Sequence, residues 1–150
     1  MSKMKSFRGK LVTTVAAGVV SDVIPLSTNN GSTGYRIKKL ELMGSNGNET
    51  YESVVEIHSI NKSTNGIVDF QDQTLLAAGL YQDASTNGIL ADTQIIFDNI
   101  TFNQDIYISY IESGPATTGI NYHIELEQIK LDLNENTVAT LKDIRNIEAQ

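Results

Sequence analysis

Cysteine and tryptophan are absent from these 150 residues, and there are only two prolines and two histidines. Without cysteine there can be no disulfide and no thiolate metal site. His58 and His123 are the only imidazoles available for acid–base work or metal ligation. No Gly-x-Ser-x-Gly elbow, P-loop, dinucleotide fingerprint or His-Glu-x-x-His pattern occurs. No apolar run approaches the roughly 18 residues a membrane-spanning helix needs. No catalytic, cofactor-binding or metal residue is therefore expected, and neither a nucleic-acid nor a membrane partner.

Basic residues are few and unevenly placed. Eleven Lys and Arg stand against 18 Asp and Glu, a formal net charge of −7. The first ten residues hold four bases and no acid, leaving seven bases and 18 acids in the remainder. Between Lys39 and Lys130 the only base is Lys62. An acidic body repels phosphates. A basic arm on such a body either stays solvated or docks on an acidic neighbour, another copy of the chain included. Lys3, Lys5, Arg8 and Lys10 precede the apolar run Leu11–Val20, the order found in a signal peptide. Thr13, Thr14 and Gly18 interrupt that run and it is β-branched, so a strand is the expectation.

Strand signals fill the chain: short runs of Val, Ile, Thr, Tyr and Phe between Gly/Asn/Ser clusters. Eight strands are expected, near residues 7–16, 19–26, 35–43, 51–60, 75–81, 93–97, 106–112 and 122–133. Two change phase: Ile37 yields to Leu40 and Leu42, and Ile124 and Leu126 yield to Ile129, Leu131 and Leu133. An inserted residue reverses side-chain facing, so bulges are expected at Lys38-Lys39 and Glu127-Gln128. Three near copies of one phrase, Ser27-Thr28-Asn29-Asn30-Gly31, Ser63-Thr64-Asn65-Gly66 and Ser85-Thr86-Asn87-Gly88, read as shared turn chemistry, since Asn-Gly suits positive φ.

After residue 133 the period changes. Asn134 or Asn136 can cap a short helix whose Val138, Leu141 and Ile144 form one apolar stripe, with Lys142 and Arg145 near its C-terminal end. Such a helix is marginal alone, so its own sandwich or a neighbouring subunit must cover the stripe. The expected fold is mainly β: an eight-stranded, jelly-roll-like antiparallel β-sandwich with a short C-terminal helix. Its parts are a basic N-terminal arm (residues 1–10), the sandwich (11–133), and the C-terminal amphipathic helix and tail (134–150).

Candidate sites are weak. Glu56 lies near His58 and Glu125 near His123, close enough in sequence for a pH-sensitive patch, though isolated surface histidines are the expectation. Asp132, Asn134, Asn136 and Asp143 have part of an EF-hand spacing but lack its Gly and closing Glu. Asp69, Asp72, Asp83 and Asp92 are loop carboxylates that offer hard-cation ligands. Tyr107, Tyr110 and Tyr122 offer a sugar platform, with packing within the sandwich the expected alternative. The three Asn-x-Ser/Thr triplets at Asn48, Asn61 and Asn99 are those an Asn- and Thr-rich chain contains by chance.

The run Ile124–Leu133 with the following helix signal, the strand Thr33–Lys39, and the segments Asp69–Leu76 and Phe97-Asp98-Asn99 together resemble small virion proteins of marine tailed bacteriophages. The resemblance covers most of the chain and rests on overall pattern. It implies a non-enzymatic structural protein, located in the virion and assembled in the host cytoplasm. A capsid accessory or decoration protein on the shell is the first expectation. A tail, collar or baseplate ring component is the second, and a carbohydrate- or receptor-binding module the third. The partners it implies are the major capsid protein or tail proteins and further copies of the chain. The interface residues expected are Lys3, Lys5, Phe7, Arg8 and Lys10 in the arm, and Val138, Leu141, Ile144 and Arg145 in the helix.

Overall fold

A computed structural model describes residues 3–13, 18–26, 32–83, 92–131 and residue 141. Eight antiparallel strands run in order: β1 (Lys3–Leu11), β2 (Val19–Ile24), β3 (Thr33–Gly44), β4 (Tyr51–His58), β5 (Leu75–Asp83), β6 (Asp92–Phe97), β7 (Ile106–Glu112) and β8 (Ile120–Lys130). They form two sheets, three-stranded β1-β8-β3 and five-stranded β2-β7-β4-β5-β6. The pairings are nested: β1 with β8, β2 with β7, and β4 with β5. β6 bonds to β5 and also lies beside β3.

Alternation sets the core. Ile120, Tyr122, Ile124 and Leu126 of β8 are buried, while Asn121, His123, Glu125 and Glu127 between them are not. Across the strand pairs, Leu11 and Phe7 oppose Ile120 and Ile124, and Leu42, Leu40 and Ile37 oppose Tyr122, Ile124 and Leu126. The second sheet adds Val55, Ile57, Ile106, Ile108 and Tyr110 to the same cluster. Burying a side chain of this size stabilises by about 1.5–3 kcal/mol relative to exposing it.

The bulge expected at Lys38 is present. The β3–β8 register steps from Ile37↔Leu126 to Lys39↔Glu125, which keeps Ile37 and Leu40 both on the core side. The second expected bulge is not. Pairing on both sides of β8 runs without a shift through Glu127 and Gln128, and Ile129 is only half-buried on the opposite face. An irregularity that composition did not announce opposes Ile57/His58 to Ala77/Leu75, leaving Leu76 out of register. Of the three repeated turn phrases, the one at residues 63–66 is described, with Gly66 at φ 87°; the other two lie outside the described residues.

Residues expected as a basic arm, Lys3 to Lys10, belong to β1 and pair with β8 along its length. The helix expected from residue 134 onward lies outside the described residues except for Leu141, whose side chain is exposed at 59%.

Candidate functional site

The loop from Ser59 to Thr74 closes on itself through the Ser59 N–H to Thr74 carbonyl bond at 2.9 Å. Three Asx turns stiffen it: Asn65 Oδ1 accepts from Ile67 N at 3.0 Å, Asp69 Oδ1 from Gln71 N at 2.9 Å, and Asp72 Oδ1 from Thr74 N at 2.9 Å. Thr64 N donates to Ser109 Oγ of β7 at 2.9 Å, fastening the loop to the five-stranded sheet. An ordered surface loop with joined ends is an Ω-type element, a common carrier of recognition residues.

Beneath it lies a buried polar cluster. His58 is 1% exposed, and its Nε2 sits 3.3 Å from Glu56 Oε2 and 3.6 Å from Asp72 Oδ2. Lys62 Nζ reaches Asp72 Oδ2 at 2.6 Å. His58 is thus no surface histidine: its acidic strand neighbour Glu56 is brought against it, and loop residues Lys62 and Asp72 complete the group. Glu56 Oε1 and His58 Nδ1 have no hydrogen-bond partner among the described residues. Both side chains line a cavity of about 190 Å³ shared with Lys62, Asn65, Asp69 and Asp72, large enough for a few waters.

The electrostatics follow from burial. Desolvation pushes the Glu56 carboxyl up, with the nearby Asp72 charge adding to it. Desolvation likewise holds the His58 imidazolium pKa down, against the pull of Asp72. Burial also works against ionisation of Asp72, but the Lys62 ammonium and the hydroxyl and amide of Thr74 outweigh it and hold this carboxyl at about 2. The ion pair Lys62–Asp72 therefore anchors the loop, over a neutral imidazole and a carboxyl that resists losing its proton. Among the described residues no group of three or more His, Asp or Glu is placed to hold a metal ion. Asp69 and Asp72 lie in the loop, whereas Asp83 ends β5 and Asp92 begins β6.

The other sequence-derived candidates separate. Tyr110 and Tyr122 are core residues, so Tyr107 has no platform to share with them. Register places His123 between Arg8 of β1 and Glu41 of β3. Lys3, Lys5, Phe7, Arg8 and Lys10 do gather, on the edge strand of the three-stranded sheet. None of these four cations forms an ion pair among the described residues. By contrast, Lys38 and Lys39 of β3 reach Glu127 and Glu41. Val138, Ile144 and Arg145 lie outside the described residues.

Strand order reveals a charge division hidden in the linear sequence. The three-stranded sheet carries eight of the eleven Lys and Arg, four on β1, three on β3 and one on β8, against Glu41, Glu125 and Glu127. The five-stranded sheet carries Asp22, Glu52, Glu56, Asp83, Asp92 and Glu112 and no Lys or Arg. Lys62, the one base between Lys39 and Lys130, is already bound to Asp72. Glu56 and Glu112 are buried, so at the surface the five-stranded sheet shows Asp22, Glu52, Asp83 and Asp92 and no base, against a predominantly basic three-stranded sheet. Comparison with protein-family profiles and with curated proteins finds no match to this chain.

Proposed function

We propose that this chain is a non-enzymatic structural protein of a tailed bacteriophage particle, a capsid accessory or decoration protein that binds the shell in many copies. The resemblance of the sequence to small phage virion proteins supports the reading. The observation that carries it is the edge strand β1: four cations without ion-pair partners among the described residues, on the basic side of an otherwise acidic body. An edge strand of this kind suits docking on an acidic protein surface, because its backbone is already ordered by pairing with β8 and its charge is complementary. The nested pairings also favour a jelly roll, an architecture used by viral capsid proteins. In that fold strands 1-8-3-6 and 2-7-4-5 make the two sheets, and here β6 lies beside β3 while keeping its bonds to β5.

A second reading, a tail, collar or baseplate ring component, draws on the opposite charge of the two sheets, which favours head-to-tail contacts between copies. Immunogold microscopy of particles of the phage that encodes the chain tests both. Label over the head is expected. Label confined to the tail or neck favours the ring reading. With an accessible epitope verified, absence of label and of the chain from particle digests overturns both.

A further inference from the structure

Two bonds that bracket β8 fix the direction of every backbone group along it. Gly119 O accepts from Ser45 N at 3.3 Å, and Leu131 N donates to Ser32 O at 2.6 Å. Between them β8 pairs with β1 without a shift, from Ile120 to Gln128. In an antiparallel ladder, alternate residues turn their N–H and C=O to opposite neighbours. The odd-numbered residues of β8 therefore bond to β3 and the even-numbered ones to β1. On β1 the partners of those even residues are Lys3, Lys5, Phe7, Gly9 and Leu11. Met4, Ser6, Arg8 and Lys10 turn their backbone groups the other way, to the open edge of the sheet. All four are exposed, and this edge makes no hydrogen bond among the described residues.

The cations of β1 stand on both faces of that edge, because side chains alternate along a strand. Lys5, whose Nζ lies 6.0 Å from the Tyr35 ring centroid, and Lys3 share the face of Phe7. Arg8 and Lys10 stand on the other face. Glu127 and Glu41 of the same sheet are already engaged by Lys38 and Lys39. An open edge is a template for a further strand, and lysines on it oppose a strand of like charge. Another β1 is thereby disfavoured and a strand bearing acids is favoured. We propose that β1 takes an extended acidic segment of a partner protein as an added strand. Its backbone bonds to Met4, Ser6, Arg8 and Lys10, and its carboxylates meet Lys3 and Lys5 on one face and Arg8 and Lys10 on the other. The inference rests on the reading of β1 as the docking strand, and supplies the mode of docking and the kind of segment received.

Amide hydrogen exchange of the full chain, read by NMR, tests it. The probe is a synthetic peptide as long as β1, built from Val, Glu and Asp with acids on both faces of its extended form. In the free chain the amides of Ser6, Arg8 and Lys10 should exchange fast, and those of Lys5, Phe7 and Gly9 slowly. With the peptide the first set should slow by about tenfold or more. No slowing at millimolar peptide overturns the inference, as does equal slowing by a peptide with Gln and Asn in place of the acids. Slowing that grows with protein concentration alone assigns the edge to a second copy and overturns it too. Arg8→Glu with Lys10→Glu should weaken peptide binding by about tenfold or more. Ser6→Pro removes one outward N–H at unchanged charge, in a place an edge strand tolerates, and should abolish the protection at Arg8. Melting temperatures equal to the parent's exclude misfolding as the cause. Both variants should lose binding to isolated shells. Loss in the Arg8/Lys10 variant with retention in Ser6→Pro overturns strand addition and leaves docking by charge standing. Retention in both overturns β1 as the docking strand.

Discussion

Tyr110 donates its phenolic hydroxyl to Glu112 Oε1 at 2.7 Å, two residues along the same strand, with both side chains fully buried. Ser53 Oγ reaches the same oxygen at 2.5 Å, and the amides of Glu52 and Gly114 reach Oε2 at 2.7 and 2.9 Å. A buried carboxylate with four donors is satisfied, and it ties the end of β7 to the start of β4. Desolvation, followed by the facing carboxylate, pushes the Tyr110 hydroxyl pKa up.

Removing one partner should therefore be costly in a graded way. Tyr110→Phe loses one charge-assisted bond, about 1.5–3 kcal/mol. Glu112→Ala leaves several buried donors unpaired, about 3–5 kcal/mol. Glu112→Gln should fall below Glu112→Ala, because the Ser53 and Tyr110 hydroxyls can rotate to accept from the amide. Urea denaturation of the three variants checks the order.

Acid should loosen the loop in two stages of opposite origin. The folded pKa of Asp72, about 2, lies below its ordinary 3.8. Its stabilisation is thus complete above pH 3.8 and is lost as pH falls towards 2, in total about 2 kcal/mol. The His58 pKa is also depressed in the folded state, so its contribution is present above 6.5 and is lost as pH falls through the folded value. Glu56 has the opposite sign: its raised pKa adds stability below 4.5 that is lost as pH rises through the folded value. Urea midpoints from pH 8 to pH 2 should fall with acid, and Asp72→Asn should flatten the segment below pH 4. An unchanged slope in that variant would remove the role assigned to the Lys62–Asp72 pair.

Two glycines with nearly the same backbone should respond differently to alanine. Gly66 and Gly119 have φ of 87° and 89°. A Cβ on Gly66 would meet only Ile111, at 3.7 Å, whereas one on Gly119 would lie 2.4 Å from the Leu11 carbonyl oxygen. Gly66→Ala should cost about 1–3 kcal/mol of backbone strain. Gly119→Ala should cost clearly more, since the β1 backbone itself must move. Thermal melts of both proteins decide it.

Two leucines test where stability resides. Leu126 is fully buried on the central strand of its sheet, and Leu126→Ala should cost about 2–5 kcal/mol. Leu141 is largely exposed in the single chain, so Leu141→Ala should melt within about 0.5 kcal/mol of the parent. A large loss at Leu141 would mean that a partner covers it in solution.

Much of the fold can be read from local pattern. Eight strands are legible as β-branched and aromatic runs between Gly, Asn and Ser clusters, but β1 runs from Lys3 to Leu11 rather than over 7–16, and β5 is buried on both faces without alternation; the β3 bulge follows from the step between Ile37 and Leu40. The bulge expected in β8 does not form: Ile129 is apolar yet only half-buried on the outer face, so no residue needs to be inserted. His58 looks solvent-facing from its strand, since Glu56 shares its face. What buries it is a loop whose closure depends on Lys62 meeting Asp72, a contact between two polar residues without periodic signature. The isolation of Lys62 in an acidic stretch was the one available hint. The charge division between the sheets was invisible for another reason: β1, β3 and β8 become neighbours only through long-range pairing.

That same pairing of β1 with β8 has a kinetic consequence. Lys3 through Leu11 can form ladder bonds only with a strand more than a hundred residues further along. The β4–β5 pair, by contrast, closes over a single loop. Local hairpins form in microseconds, while non-local β pairings place a fold in the millisecond-to-second range. During synthesis the basic strand must therefore wait, unpaired and rich in cations, until β8 has left the ribosome. Its positive charge then acts before folding as well as after it, by making premature stacking of β1 on another nascent β1 repulsive.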